Sequence, residues 1–292
     1  SNALGFAKVQ ENKGETAAWV VLANAKIRDN PEQLEMLSAA LNGGQIELGL
    51  GPPGTGKTTI GAEVIWQNWL LRVSQVVTAQ TNGAVDNLLW GAIELAKKQG
   101  VELKVYRVGN NPDVIQPELR DYWIYKDRPP YPRQPQSDPK TPDGQREWDE
   151  YHRAIELYDG EVCDWEEWLK QRIAYEVSSG QAIIGGTIIG LVLFLGKFGR
   201  EMARSNGQKG TGKFKFKRGI IEEASVASIA ELLVILSKIE ERALIIGDTK
   251  QMGLPLFDNE LKARLTKSGL NDEEIKTVNN SLFKFLVEQE AF

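Results

Sequence analysis

The stretch "LGLGPPGTGKTTIGAEV", Leu48–Val64, constrains the fold more than any other part of the chain. Gly51–Thr58 satisfies G-x-x-x-x-G-K-[ST], a loop that has to join the end of a strand to the start of a helix. Its glycines let backbone N–H groups curl around a phosphate without a Cβ in the way. Lys57 can reach the β- and γ-phosphate oxygens, the Thr58 hydroxyl can ligate Mg²⁺, and the following helix turns its positive end to the phosphates. Gly51, Pro52, Pro53, Gly54, Thr55, Gly56, Lys57, Thr58 and Thr59 are therefore candidate contacts to a nucleoside triphosphate such as ATP. A second stretch, "GQKGTGKF" (Gly207–Phe214), nearly repeats the pattern. Phe214 stands where the hydroxyl is needed and no apolar helix follows. It reads as a flexible loop ahead of a strand in "KFKFKRGII".

Short apolar, β-branched runs recur at Gln45–Leu50, Gln75–Gln80, Lys104–Val108, Ala182–Thr187, Gly219–Glu223 and Ala243–Asp248. Helical patterns follow several of them, at Thr58–Leu71, Asn82–Gln99 and Ser228–Lys238. Strand alternating with helix predicts an α/β fold: a parallel sheet with helices on both faces. Such a sheet binds ligands at the carboxyl ends of its strands.

Asn111–Ser178 breaks the alternation. It holds 8 of the 12 prolines and carries a net charge of −7, which leaves +2 for the rest of a chain whose total is −5. The acidity is thus local, and it argues against nonspecific binding to nucleic acid without excluding a basic groove elsewhere. The prolines of "DRPPYPRQPQSDPKTPDGQ" forbid helix or central strand. Arg146–Val177 is patterned as helix, so the segment is expected to be an insertion: a proline-rich loop, then a helical hairpin broken near Asp159 and Gly160. A single cysteine, Cys163, fits a reducing compartment, cytoplasm or nucleus, and a single histidine, His152, argues against His-based metal or triad chemistry. No apolar run is long enough for a membrane helix. "SNA" at the start, without an initiator Met, reads as the scar of tag removal.

Further residues complete a triphosphatase site. Such a site needs a carboxylate near Mg²⁺ and a base that orients water. "RGIIEEAS" offers Glu222 for the metal and Glu223 for the water, both at the end of an apolar run. "LIIGDTKQMGLP" places Asp248 and Gln251 at the same edge, with Gln251 in reach of the γ-phosphate or the attacking water. Thr81 and Asn82 end one strand and open a helix, where they would either grip a strand phosphate or simply cap the helix. Lys209, Lys213, Lys215, Lys217 and Arg218 form a basic run that reads as a solvated face.

Together these motifs resemble the first RecA-like motor domain of the superfamily 1 helicases, in the branch with the nonsense-mediated-decay RNA helicase. "NPEQLEML" is similar to the Q motif, "GPPGTGKTT" to motif I, "VVTAQTNGAVDNLL" to motif Ia, "IIEEAS" to motif II and "GDTKQMGLP" to motif III. "SLFKFL" suits the helix that usually follows. The resemblance implies that Gln33 reads the adenine edge, and that Thr81, Asn82 and Thr187 contact single-stranded DNA or RNA. It implies ATP with Mg²⁺, and a second RecA-like domain beyond Phe292 as partner. It also places the insertion after "YRVG", where relatives carry an accessory subdomain. Glu222 departs from the pattern, in which Asp is usual. Two other readings share parts of the pattern: an AAA+ type remodelling ATPase, and a non-hydrolysing, ATP-gated binding module.

Overall fold

A computed structural model describes residues 22–52, 54–205, 215–248, 250, 259–269, 271, 272, 274, 275 and 282–290. Six strands form one sheet: β1 Ile46–Leu50, β2 Gln75–Ala79, β3 Val105–Arg107, β4 Ile183–Thr187, β5 Phe216–Ile221 and β6 Ile239–Gly247. Their order is β1-β6-β5-β2-β4-β3, and every neighbouring pair is parallel. The helices are α1 Ala25–Arg28, α2 Pro31–Asn42, α3 Lys57–Leu70, α4 Asn82–Lys98, α5 Pro142–Ser178, α6 Ile188–Ser205, α7 Ile229–Leu236, α8 Asn259–Lys267 and α9 Leu282–Glu290. This is an α/β fold of the RecA-like, P-loop NTPase kind.

Strand periodicity explains why the sheet is covered on both faces. Val77, Ile183, Ile220, Leu244 and Ile246 enter one core with side chains of α2, α3 and α4. Their neighbours Val76, Ile184, Ile221, Ala243 and Ile245 enter a second core with α6, α7 and α9. Successive strand residues face opposite sides, so runs apolar at every position are what a twice-covered sheet requires. The tail also contributes: Phe283 of α9 is fully buried against Gly247, where any Cβ would meet its ring at 2.6 Å. Among the described residues no helix is long and apolar enough to cross a membrane.

The segment between β3 and β4 departs from expectation. α5 is one continuous helix of 37 residues, not a hairpin broken at Asp159 and Gly160. Gly in an exposed helix costs about 1 kcal/mol relative to Ala, too little to break a helix supported on both sides. Thr141 caps α5 by accepting from the Gly144 amide at 3.1 Å, and Pro142 occupies the first turn, where its missing N–H is harmless. The base of the segment is built into the domain. Ile115 and Leu119 join the first core, Ile124, Leu169 and Ile173 the second. Trp123 bridges to edge strand β3 at Arg107. α6 was not foreseen as a helix, and "GQKGTGKF" lies outside the described residues.

Candidate functional site

Because all six strands are parallel, their carboxyl ends share one edge. Register places Leu50 beside Gly247, Ala79 beside Thr187 and Thr78 beside Ile221. The segments that leave β1, β2, β5 and β6 therefore converge. They surround a cavity of about 420 Å³ lined by residues that include Gly54, Gly56, Lys57, Thr58, Glu222, Glu223 and Asp248.

The loop after β1 has the shape that its glycines allow. Gly54 and Gly56 sit at φ of +83° and +87°, a region unfavourable to any residue with a Cβ. A Cβ on Gly56 would also lie 2.5 Å from Nε2 of Gln33. Gln33, on α2, donates to the Thr55 carbonyl at 3.1 Å, so the predicted adenine-reading residue is docked on the loop. The Gly51 amide donates to the Gly247 carbonyl at 3.3 Å, and the Thr55 hydroxyl to the Pro52 carbonyl at 2.9 Å. Thr59 is half-buried in the first turn of α3; Pro53 and Gln251 lie outside the described residues.

Among the described residues that line the cavity, Lys57 is the cation. Its ammonium donates to the carbonyls of Gly51 and, at 2.9 Å, Pro52. Burial lowers its pKa, while the charges of Asp248 and Glu222 oppose that shift. Asp248 is only 5 % exposed; its amide lies 3.4 Å from the Ser225 hydroxyl, and its Oδ1 accepts from the Lys250 amide at 2.9 Å. Asp248 is thereby fixed near Lys57 by β6, the strand between β1 and β5.

Glu222 and Thr58 meet across the cavity. The Thr58 hydroxyl donates to Oε1 of Glu222 at 2.7 Å. Glu222 is 7 % exposed, and its other oxygen, Oε2, has no hydrogen-bond partner among the described residues. Burial, foremost, raises its pKa; the Thr58 hydroxyl works against this, the Glu223 charge adds to it and the Lys57 charge opposes it. A buried carboxylate oxygen without a donor, beside a threonine hydroxyl, fits a hard cation with oxygen ligands such as Mg²⁺. Glu222 is one methylene longer than the Asp usual in this motif, and its Oε1 reaches the Thr58 hydroxyl directly. Its amide donates to the Thr78 carbonyl at 2.8 Å, which continues the β5–β2 ladder by one residue. Glu222→Asp should break the direct Thr58 contact and shift the Mg²⁺ concentration needed for half-maximal ATP turnover within about tenfold, leaving the saturated rate near wild type. A Mg²⁺ titration of the ATPase reads this. A large gain in rate would instead favour the ATP-gated binding module.

Glu223 leaves the strand in a left-handed conformation, φ 56° and ψ 29°, which is uncommon for a residue with a side chain. Its Oε2 accepts from the Thr81 amide at 3.1 Å and from the Thr81 hydroxyl at 2.9 Å. Thr81 also caps α4, accepting from the Ala84 amide at 3.3 Å. Asn82 follows it, and its Oδ1 accepts from Arg107 at 2.8 Å. Arg107 is fully buried; its Nε pairs with Asp86 at 2.5 Å, and Asp86 also accepts from the Gln116 amide at 2.9 Å. Sequence patterns did not reveal Arg107, Asp86 or Ser225 as supports of the site. Thr187 caps α6, its hydroxyl accepting from the Gly190 amide at 3.2 Å. Of the basic run, Lys209 and Lys213 lie outside the described residues, and Lys217 and Arg218 bond elsewhere. Lys217 pairs with Glu241 at 2.9 Å and Arg218 bonds Asn68 at 2.7 Å, near the amino end of β5.

Comparison with family models matches residues 29–140 to an AAA domain family, the one found in nonsense-mediated-decay-type superfamily 1 helicases. The match covers less than half of the chain but includes Gln33, the whole phosphate loop, Thr81 and Asn82. No curated protein matches the chain. The matched region opens an all-parallel sheet whose carboxyl edge assembles a phosphate loop, two acids and Asp248. The match and the geometry of this edge together support a helicase-like ATPase motor domain of the superfamily 1 type.

Proposed function

We propose that this domain hydrolyses ATP to drive movement along single-stranded DNA or RNA, working with a second RecA-like domain. The observation that carries the hydrolytic part is the buried pair of Thr58 and Glu222, with one carboxylate oxygen unpartnered among the described residues, at the mouth of the phosphate loop. Thr58 and Glu222 would hold Mg²⁺, which when bound neutralises charge on the phosphate oxygens. The amides of Gly54–Lys57 cradle the phosphates and the Lys57 ammonium moves from loop carbonyls to phosphate oxygens. Glu223 orients the attacking water and accepts its proton as the bond to the leaving diphosphate breaks. Gln251 is assigned to the γ-phosphate or that water, and Gln33 to the adenine.

Strand contact is assigned to Thr81, Asn82 and Thr187. Support comes from their common position: all three sit where β2 and β4 end and helices begin, a place suited to phosphates. The buried Arg107–Asp86 pair fixes Asn82 from beneath, which gives that surface a rigid base. Residues 111–178 are assigned as an accessory insertion rooted in both cores. The test is ATP turnover by the natural full-length protein with and without single strands. Stimulation supports the reading, and indifference to every strand removes its nucleic-acid half.

A further inference from the structure

We propose that Thr81 is a positioning residue that restrains Glu223, and that a bound strand stimulates hydrolysis by taking Thr81's two donors away from it. The second half rests on the reading of the domain as a strand-dependent ATPase; the first does not. Thr81 and Glu223 are 142 residues apart in sequence, yet both donors of Thr81 fall on the same oxygen of Glu223. The carboxylate is anchored from one side by the β2–α4 junction. From the other side it hangs on a residue whose backbone occupies the left-handed region, so its own chain does not favour this pose.

Hydrogen bonds to a charged acceptor are stronger than neutral ones, and two on one oxygen make a firm hold. A base held in this way has to give up those bonds before it can turn to a water molecule. The Thr81 amide and hydroxyl are also what a strand phosphate would use. A phosphate arriving there competes for the donors and repels the carboxylate. Strand and Glu223 are then alternative occupants of one pair of donors. Coupling of this kind is reciprocal: what releases Glu223 for the strand must also make the strand bind better when Glu223 is gone.

Two readouts test it on the natural full-length protein. The first is strand-free, single-turnover ATP hydrolysis. Thr81→Val removes the hydroxyl bond, and Thr81→Asp keeps a capping side chain on α4 while placing a second carboxylate against Glu223. Both should raise the strand-free rate, by about tenfold where one charge-assisted bond is lost. Thr81→Ser should behave as wild type. The gain must vanish when Glu223→Gln is added, since it runs through that residue. Unchanged strand-free rates in both Val and Asp variants overturn the restraint. The second readout is strand affinity by fluorescence anisotropy with no nucleotide present, using a fluorescent oligothymidylate and an oligouridylate. Glu223→Ala should tighten binding, and this gain should shrink in the Thr81→Val background, where only the amide is left to release. A gain of undiminished size there is simple charge removal and overturns the competition. If no strand binds any variant, the strand-dependent reading fails on its own, and the restraint is decided by the strand-free rates.

Discussion

Glu223→Gln should retain ATP binding and lose turnover by about a hundredfold or more, the usual contribution of a positioned base. The substitution is nearly isosteric, and the new amide oxygen can still accept from the Thr81 amide and hydroxyl that now hold the carboxylate. The phosphate loop is untouched, because its bonds run to Gln33, Gly247 and its own carbonyls. Affinity measured with a fluorescent ATP analogue should therefore match wild type while the single-turnover rate collapses. A variant that binds ATP poorly and turns over normally would move the water-orienting role elsewhere, with Gln251 as the next candidate.

Lys57→Ala should be equally damaging by a different route. Lys57 is a cation placed among Asp248, Glu222 and the loop carbonyls, and it is the group we assign to meet the phosphate charge. Loss of one such preorganised donor typically costs about 10²–10³ in rate. Alanine suits the first turn of α3, and Lys57 is only half-buried, so the fold should survive. The expected result is a thermal unfolding midpoint near wild type, with ATP no longer raising it. Normal hydrolysis by this variant would remove the phosphate-loop assignment.

Much of this site was legible in the sequence because its parts are local. A strand, a glycine loop and a helix within Leu48–Val64 dictate their own geometry. The six apolar runs each became a strand to within a few residues, since a sheet covered on both faces leaves no polar alternation to confuse the pattern. Glu222 and Glu223 could be placed at the carboxyl edge for the same reason. What was hidden is non-local. The bond between Thr81 and Glu223 depends on β2 and β5 being neighbours, and nothing in either stretch announces it. Arg107 looks like an ordinary residue in a short edge strand, and only the fold buries it beneath Asn82.

The misreadings have physical causes too. An Asp-Gly pair in a polar stretch signals a turn, but the turn signal of Asp159 and Gly160 is weaker than the support α5 draws from its cap and its aromatic contacts. Those contacts include a Trp148–Tyr151 edge-to-face pair at 5.8 Å and a Tyr131–Tyr158 pair at 5.1 Å that ties the proline-rich loop to the helix. The apolar run of Ile188–Leu195 follows directly on a strand and is ambiguous by periodicity, so the sequence alone marks no element there. The helix begins because Thr187 caps it.

The central claim is that this edge of the sheet couples ATP hydrolysis to a single strand. It is tested most directly by steady-state ATPase of the natural full-length protein on matched single-stranded DNA and RNA of mixed sequence. The account predicts that at least one of them raises the rate severalfold or more over the strand-free value, and that the increase is lost in Lys57→Ala. A rate that Lys57→Ala abolishes but that neither DNA nor RNA changes would contradict it, and would leave an ATPase with some other partner.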